Sequence, residues 1–172
     1  MNFPLRGCIF EDFVNYKKCC MTLIMPYCDF KCNKDCGKTI CHNVDLIDQP
    51  IIEVDMNKLI EDYIHNPITH AVCFQGLEPF YSNSNYNGTM YVLDFINTLR
   101  VQYGNTDDVI VYTGYTENEC KSKGIINLLK DYKNLIIKFG RYREGDQPHL
   151  DDLLGVKLAS NNQYAKRIEY II

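Results

Sequence analysis

The sequence is poor in most features that announce a function. It has no tryptophan. Its longest apolar runs, MTLIMP and NLIIKF, fall far short of the roughly 20 residues that a membrane-spanning helix needs. No Lys/Arg stripe alternates with aromatics and the net charge is −4, so the electrostatic footprint of a nucleic-acid binder is missing. The opening MNFPLRGCIFEDF breaks its apolar residues with Arg6, Glu11 and Asp12, which argues against a secretory leader. There is no repeat, low-complexity tract or linker. A single domain over residues 1–172, with its own core and a cytoplasmic setting, is the expectation.

Cysteine is what the chain has in quantity: nine, an odd number. A cytoplasmic setting disfavours disulfides, which moves the reading toward metal ligation or redox work. Cys8, Cys19, Cys20, Cys73 and Cys120 lie among apolar neighbours and are expected to fill space as small hydrophobes. Cys28, Cys32, Cys36 and Cys41 crowd into PYCDFKCNKDCGKTICHN, residues 26–43.

The remaining pattern alternates strands with helices. CMTLIMP (20–26), HAVCFQ (70–75), DVIVYT (108–113) and NLIIKF (134–139) read as buried strands, and the tail as a last strand with an irregular end. Residues 55–66 read as a helix capped by Asp55, with Leu59, Ile60, Tyr63 and Ile64 on one face. Residues 88–103 read as a second helix with Val92, Leu93, Phe95, Ile96 and Leu99 inward, and 116–123 and 125–132 as shorter ones. This order predicts an α/β fold with a mainly parallel sheet. Ligands of such sheets gather at the carboxyl ends of the strands. The cysteine loop, GLEP (76–79) and TGYT (113–116) each follow a predicted strand, so all three are expected on one edge.

Three readings of the loop compete. Cys28, Cys32 and Cys36 share the spacing of one helix face, although Asp29, Asn33, Lys34, Asp35 and Gly37 are poor filling for a packed helix. Cys28/Cys32 and Cys36/Cys41, with His42 adjacent, suit a compact zinc site. Thiolates also bind iron–sulfur clusters, and three protein sulfurs on a cubane leave one iron free to take a ligand. Lys31, Lys34 and Lys38 would offset thiolate charge.

Several pieces in order then resemble a known family. They are Cys28-x3-Cys32, Cys41-His42-Asn43, Gly76-Leu77-Glu78-Pro79, Tyr112-Thr113-Gly114-Tyr115, Gly140-Arg141-Tyr142 and Ser160-Asn161-Asn162-Gln163. Together they resemble the radical S-adenosylmethionine (SAM) enzymes, and more narrowly the small activating proteins of anaerobic (class III) ribonucleoside-triphosphate reductases. Leu77 stands where that pattern has glycine. Cys36 comes one residue late for the third cysteine, whereas Cys41 has the right neighbours after a longer step.

The resemblance implies a partial, incomplete TIM-like barrel of the radical SAM type, left open for a large protein substrate. It implies a [4Fe-4S] cluster on three of Cys28, Cys32, Cys36 and Cys41, with SAM on the open iron. It also implies a glycyl radical installed on the reductase, with electrons from a flavodoxin-like donor. The 76–79 turn, through the Gly76 backbone and Glu78, would hold the methionine part of SAM. Thr113 and Tyr115 would line the adenosine pocket, His42 would support the cluster's rim, and Asn161 and Gln163 would reach the nucleoside or the partner. An open apolar edge also points to a homodimer or tight partner docking. Three rivals stay open: a radical SAM enzyme with another protein or peptide substrate, a four-cysteine electron-transfer or sensor protein, and a zinc-stabilised module.

Overall fold

The computed structural model describes residues 2–171. In chain order the elements are strands β1 (Asn2–Leu5), β2 (Gly7–Asp12) and β3 (Cys20–Met25), helix α1 (Lys31–Cys36), a 3-10 turn (Val44–Asp48), β4 (Ile52–Asp55) and α2 (Met56–His65). There follow β5 (Ala71–Gly76), α3 (Gly88–Asn97) running into a wider turn (Thr98–Gln102), β6 (Asp108–Tyr112), α4 (Glu117–Ser122), α5 (Ile125–Leu129) and β7 (Leu135–Phe139). The chain closes with β8 (His149–Asp151), β9 (Val156–Leu158), β10 (Tyr164–Arg167) and a 3-10 turn (Ile168–Tyr170).

The central sheet has six strands in the order β10-β7-β6-β5-β3-β2. Its four inner strands β3, β5, β6 and β7 run parallel, and β2 and β10 flank them antiparallel. Parallel neighbours need crossovers, and helices α2, α3 and the α4–α5 pair supply them. The sheet ends at β2 and β10 and does not close on itself among the described residues. Among those residues, too, no helix is long and apolar enough to cross a membrane.

Both faces of the inner strands are buried, which is why they read as nearly continuous apolar runs. On one face Leu23, Phe74, Val111 and Ile137 pack beneath Leu59, Ile60, Phe95, Ile96 and Leu129 from the helices. On the other, Cys20, Cys73, Ile110 and Ile136 lie under Tyr16, Leu154 and Leu158, carried by the β2–β3 loop and the β8–β9 hairpin. Cys20, Cys73 and Cys120 are buried apolar filling as expected, while Cys8 and Cys19 are half-buried.

The expected inner strands and helices form, although α5 stops at Leu129 and Ile64 of α2 is exposed rather than inward, and Asp55 caps α2 by accepting from the amides of Asn57 and Lys58. The tail differs from expectation. It makes two strands rather than one, β9 pairing with β8 and β10 lying antiparallel on β7.

Candidate metal centre

The four parallel strands share a direction, so their carboxyl ends meet at one edge: Met25 lies level with Gly76, and Tyr112 with Lys138. The cysteine loop, the 76–79 turn and 113–116 all leave the sheet there, as their sequence positions predict.

The loop contains a short helix, α1, that its composition argued against. The helix needs no packing, since none of its residues is buried. Local geometry ends it on both sides, with Phe30 left-handed at φ 50° before it and Gly37 at φ 72° after it. Beyond Gly37 the chain folds back because Asn33 Oδ1 accepts the amides of Ile40 and Cys41, both at 2.9 Å. This fold-back returns Cys41 toward Cys32. The sulfur of Cys28 accepts the Phe30 amide at 3.2 Å and that of Cys41 accepts the Asn43 amide at 3.4 Å, contacts that favour thiolate charge. Asn43 Nδ2 then donates to the Gly76 carbonyl at 2.8 Å, tying the loop to the next strand end.

Glu78 joins the second and third segments. Its Oε1 accepts from the Thr113 hydroxyl at 2.7 Å and the Phe80 amide at 3.0 Å, and its Oε2 from the Gly114 amide at 2.8 Å. The carboxyl is 5% exposed, so it is no solvated turn acid. Burial pushes its pKa up to about 7, against the three hydrogen bonds that favour its charge. Gly76 takes the positive φ (88°) at the strand end, where a Cβ would stand 2.6 Å from the Ile24 side chain. Leu77 is simply buried beside it.

These segments enclose a cavity of about 340 Å3. Cys28, Cys32 and Cys41 form its sulfur-bearing wall, and His42 and Asn43 stand beside them. Glu78, Thr113, Gly114 and Tyr115 form the facing wall, and Gln75, Tyr112 and Lys138 rise from the sheet. Cys36 is exposed and does not line this cavity. It opens instead on a second one of about 320 Å3, across Cys32 and Arg141. The sequence left both Cys36 and Cys41 open as the third thiol, with the His42-Asn43 neighbours leaning toward Cys41, and Cys41 is the one that lines the cavity with Cys28 and Cys32.

Burial pushes the Cys28 thiol up to about 12 and, with Cys41 beside it, the Cys32 thiol up to about 11. A metal taking these sulfurs must displace their protons. Among the described residues no three His, Cys, Asp or Glu side chains converge on a single-ion position. Three thiols on one cavity wall make an all-sulfur donor set, which is what an iron–sulfur cluster takes.

The other expected residues are distributed as follows. Tyr115 is buried, with its hydroxyl 3.3 Å from Asp29 Oδ2, and His42 packs on the Tyr142 ring at 4.3 Å. Gln163 lines the cavity, donating to the Gly140 carbonyl at 3.2 Å, while Asn161 is exposed outside it. Arg141 is held between Glu119 at 2.5 Å and Asp35 at 3.5 Å. Burial opposes the charge of Glu119, yet Arg141, the Thr116 amide and Lys31 hold its carboxyl down to about 2. Glu119 owes its position to a capping box with Thr116 at the start of α4. Thr116→Ala is expected to cost about 1 kcal/mol in urea denaturation.

Sequence reasoning missed Asn15, Gln75 and Lys138 on the cavity. Lys138 had a readable signal: it is a charge set among Leu135, Ile136, Ile137 and Phe139 in a predicted strand.

Comparison with the curated proteins and with the solved structures returns no match. A family model described as a 4Fe-4S single cluster domain matches residues 17–163, a span that takes in all four loop cysteines, Glu78, the 113–116 strand end and Gln163. That match covers most of the chain, and the chain therefore belongs to the 4Fe-4S single cluster domain family.

Proposed function

We propose that the chain is a radical SAM activating enzyme for an anaerobic ribonucleoside-triphosphate reductase. The observation that carries this reading is the division of the loop cysteines: Cys28, Cys32 and Cys41 face the cavity shared with Glu78 and Thr113, and Cys36 faces away from it. Three protein sulfurs leave one iron of a cubane for a small ligand. Bound there, a [4Fe-4S] cluster would supply the electron that cleaves SAM to methionine and a 5′-deoxyadenosyl radical, which takes a hydrogen atom from a glycine of the reductase.

The chain's own part is binding, orientation and exclusion of water. Glu78 keeps one lone-pair site on Oε2 beyond its three hydrogen bonds, and this site accepts the SAM ammonium. Gly76 lets the backbone approach the methionine part, and Thr113 and Tyr115 border the adenosine. The open sheet, helical on one face, supports a partial radical SAM barrel with room for a protein substrate. Exposed Ile9, Phe10, Phe13 and Val14, on and just beyond edge strand β2, support docking there of the reductase or a second copy. A flavodoxin-like protein would deliver the electron.

Anaerobically reconstituted protein given SAM and a strong reductant is expected to release 5′-deoxyadenosine and methionine in equal amounts, read by chromatography. Absence of both products from a protein carrying its full iron and sulfide would leave a four-sulfur electron carrier as the better account.

A further inference from the structure

Cys36 is the one loop cysteine to which the first cavity gives no task. It follows Cys32 by one turn of α1, and both residues line the second cavity of about 320 Å3. Neither Cys28 nor Cys41 lines that cavity, and among the described residues no other cysteine does. Cys32 alone borders both cavities, so it stands in the wall between them.

Helix α1 sets the distance between the two thiols. Cβ atoms one turn apart lie about 5–6 Å from each other, whereas a disulfide brings them to roughly 4 Å. Closing that gap means unwinding the last turn, and α1 resists little. Helix α1 has six residues, none of them buried, and it ends on Gly37, whose amide donates back to the Asn33 carbonyl at 2.9 Å. Cys41 is held more firmly, since its own amide and that of Ile40 are tied to Asn33 Oδ1. Access differs as well. Cys36 is exposed, so a diffusing oxidant meets it before the half-buried Cys28, Cys32 and Cys41.

We propose that Cys36 is an oxidation site that captures Cys32 in a disulfide once a peroxide has stripped the cluster. This rests on the reading that Cys32 is a cluster ligand. The Cys36 sulfur attacks the peroxide, the O–O bond breaks, one water departs and Cys36 becomes a sulfenic acid. Cys32, released by loss of the cluster, attacks that sulfur. The S–S bond forms, the S–O bond breaks, and the hydroxyl departs with the Cys32 proton as a second water. Two thiols give up two electrons, and one hydrogen peroxide becomes two waters. The disulfide withholds Cys32 from the metal cavity and keeps its sulfur at a stage of oxidation that a thiol reductant reverses.

Trypsin can read the pairing. It cuts after Lys31, Lys34 and Lys38, which puts Cys32 in CNK and Cys36 in DCGK, apart from the peptides that carry Cys28 and Cys41. Anaerobically reconstituted protein is treated with hydrogen peroxide until its visible absorbance is lost, then alkylated, digested and mapped by mass spectrometry. The linked pair CNK–DCGK is expected as the main disulfide. After dithiothreitol the wild type should take up its full iron again. Cys36→Ala, with wild-type iron before peroxide, should recover at least about threefold less, because its Cys32 passes on to sulfinic acid, which thiols do not reverse. Cys32 linked chiefly to Cys28 or Cys41, Cys32 in no disulfide, or equal recovery by the variant would each overturn the proposal. Should Cys36→Ala fold poorly, the wild-type map alone decides. The same map on protein never given iron keeps the two readings apart: a wild type that takes up no iron overturns the cluster ligation, whereas the pairing stands or falls on its own peptides.

Discussion

Alanine at Cys28, Cys32 or Cys41 is expected to abolish cluster assembly, and Cys36→Ala to leave iron and sulfide at the wild-type level. Three features argue for this split. Cys28, Cys32 and Cys41 line a single cavity, whereas Cys36 is exposed on another. Amides of Phe30 and Asn43 already point at the sulfurs of Cys28 and Cys41, and no such contact serves Cys36 among the described residues. Asn33 also holds Cys41 at the folded-back end of the loop, its Oδ1 accepting the amides of Ile40 and Cys41. Iron and sulfide assays with the visible absorbance after anaerobic reconstitution read the outcome. Retention of the cluster in Cys41→Ala together with its loss in Cys36→Ala would falsify this assignment and make Cys36 the third ligand.

Glu78→Ala is expected to destabilise the fold by about 3 kcal/mol, since it strands the Thr113 hydroxyl and the amides of Phe80 and Gly114 without their acceptor. Glu78→Gln keeps one acceptor oxygen and should cost less, but its amide nitrogen then meets a donor. The two variants also separate in their pH dependence from the wild type. The carboxyl is raised from an ordinary 4.5 to about 7 by burial, against Thr113, Phe80 and Gly114. Folding therefore favours the protonated form. The stability this group contributes is fully present below about 4.5 and is lost as pH rises through about 7, a span of at most about 3 kcal/mol. Urea midpoints across that window should fall with pH in the wild type and run flatter in Glu78→Gln. Parallel slopes for the two proteins would show that the carboxyl stays ionised throughout.

The inner sheet was legible because burial on two faces leaves a strand almost nothing but apolar residues, as in the VIV of β6 and the LII of β7. What escaped notice lies at the margins. β1 and β4 are four residues each and pair across most of the first third of the chain, so no local period marks them. β2 is an edge strand with Ile9 and Phe10 exposed, which blurs the inside–outside alternation. The helix in the cysteine loop is held by backbone conformation at Phe30 and Gly37 rather than by a packed face, and composition reports only the latter.

Placement of the cysteine loop, Glu78 and Thr113 at one edge followed from strand direction alone. That Cys41 rather than Cys36 lines the cavity was only hinted at by its His42-Asn43 neighbours, because the fold-back turns on two hydrogen bonds to one asparagine side chain. Lys138 gave only a partial signal, its charge. It lies within a run of residues that the core requires, and only the sheet's register shows that its place on the strand is level with the cavity.

The cavity draws its walls from Asn15 at one extreme of the sequence to Gln163 at the other, by way of strands β5, β6 and β7. No fragment of the chain owns it. The thiols lie close together in sequence, whereas the facing wall is assembled from distant segments. Whatever then occupies the pocket binds only the finished fold, and its affinity adds to the cooperativity of the whole molecule rather than to one loop.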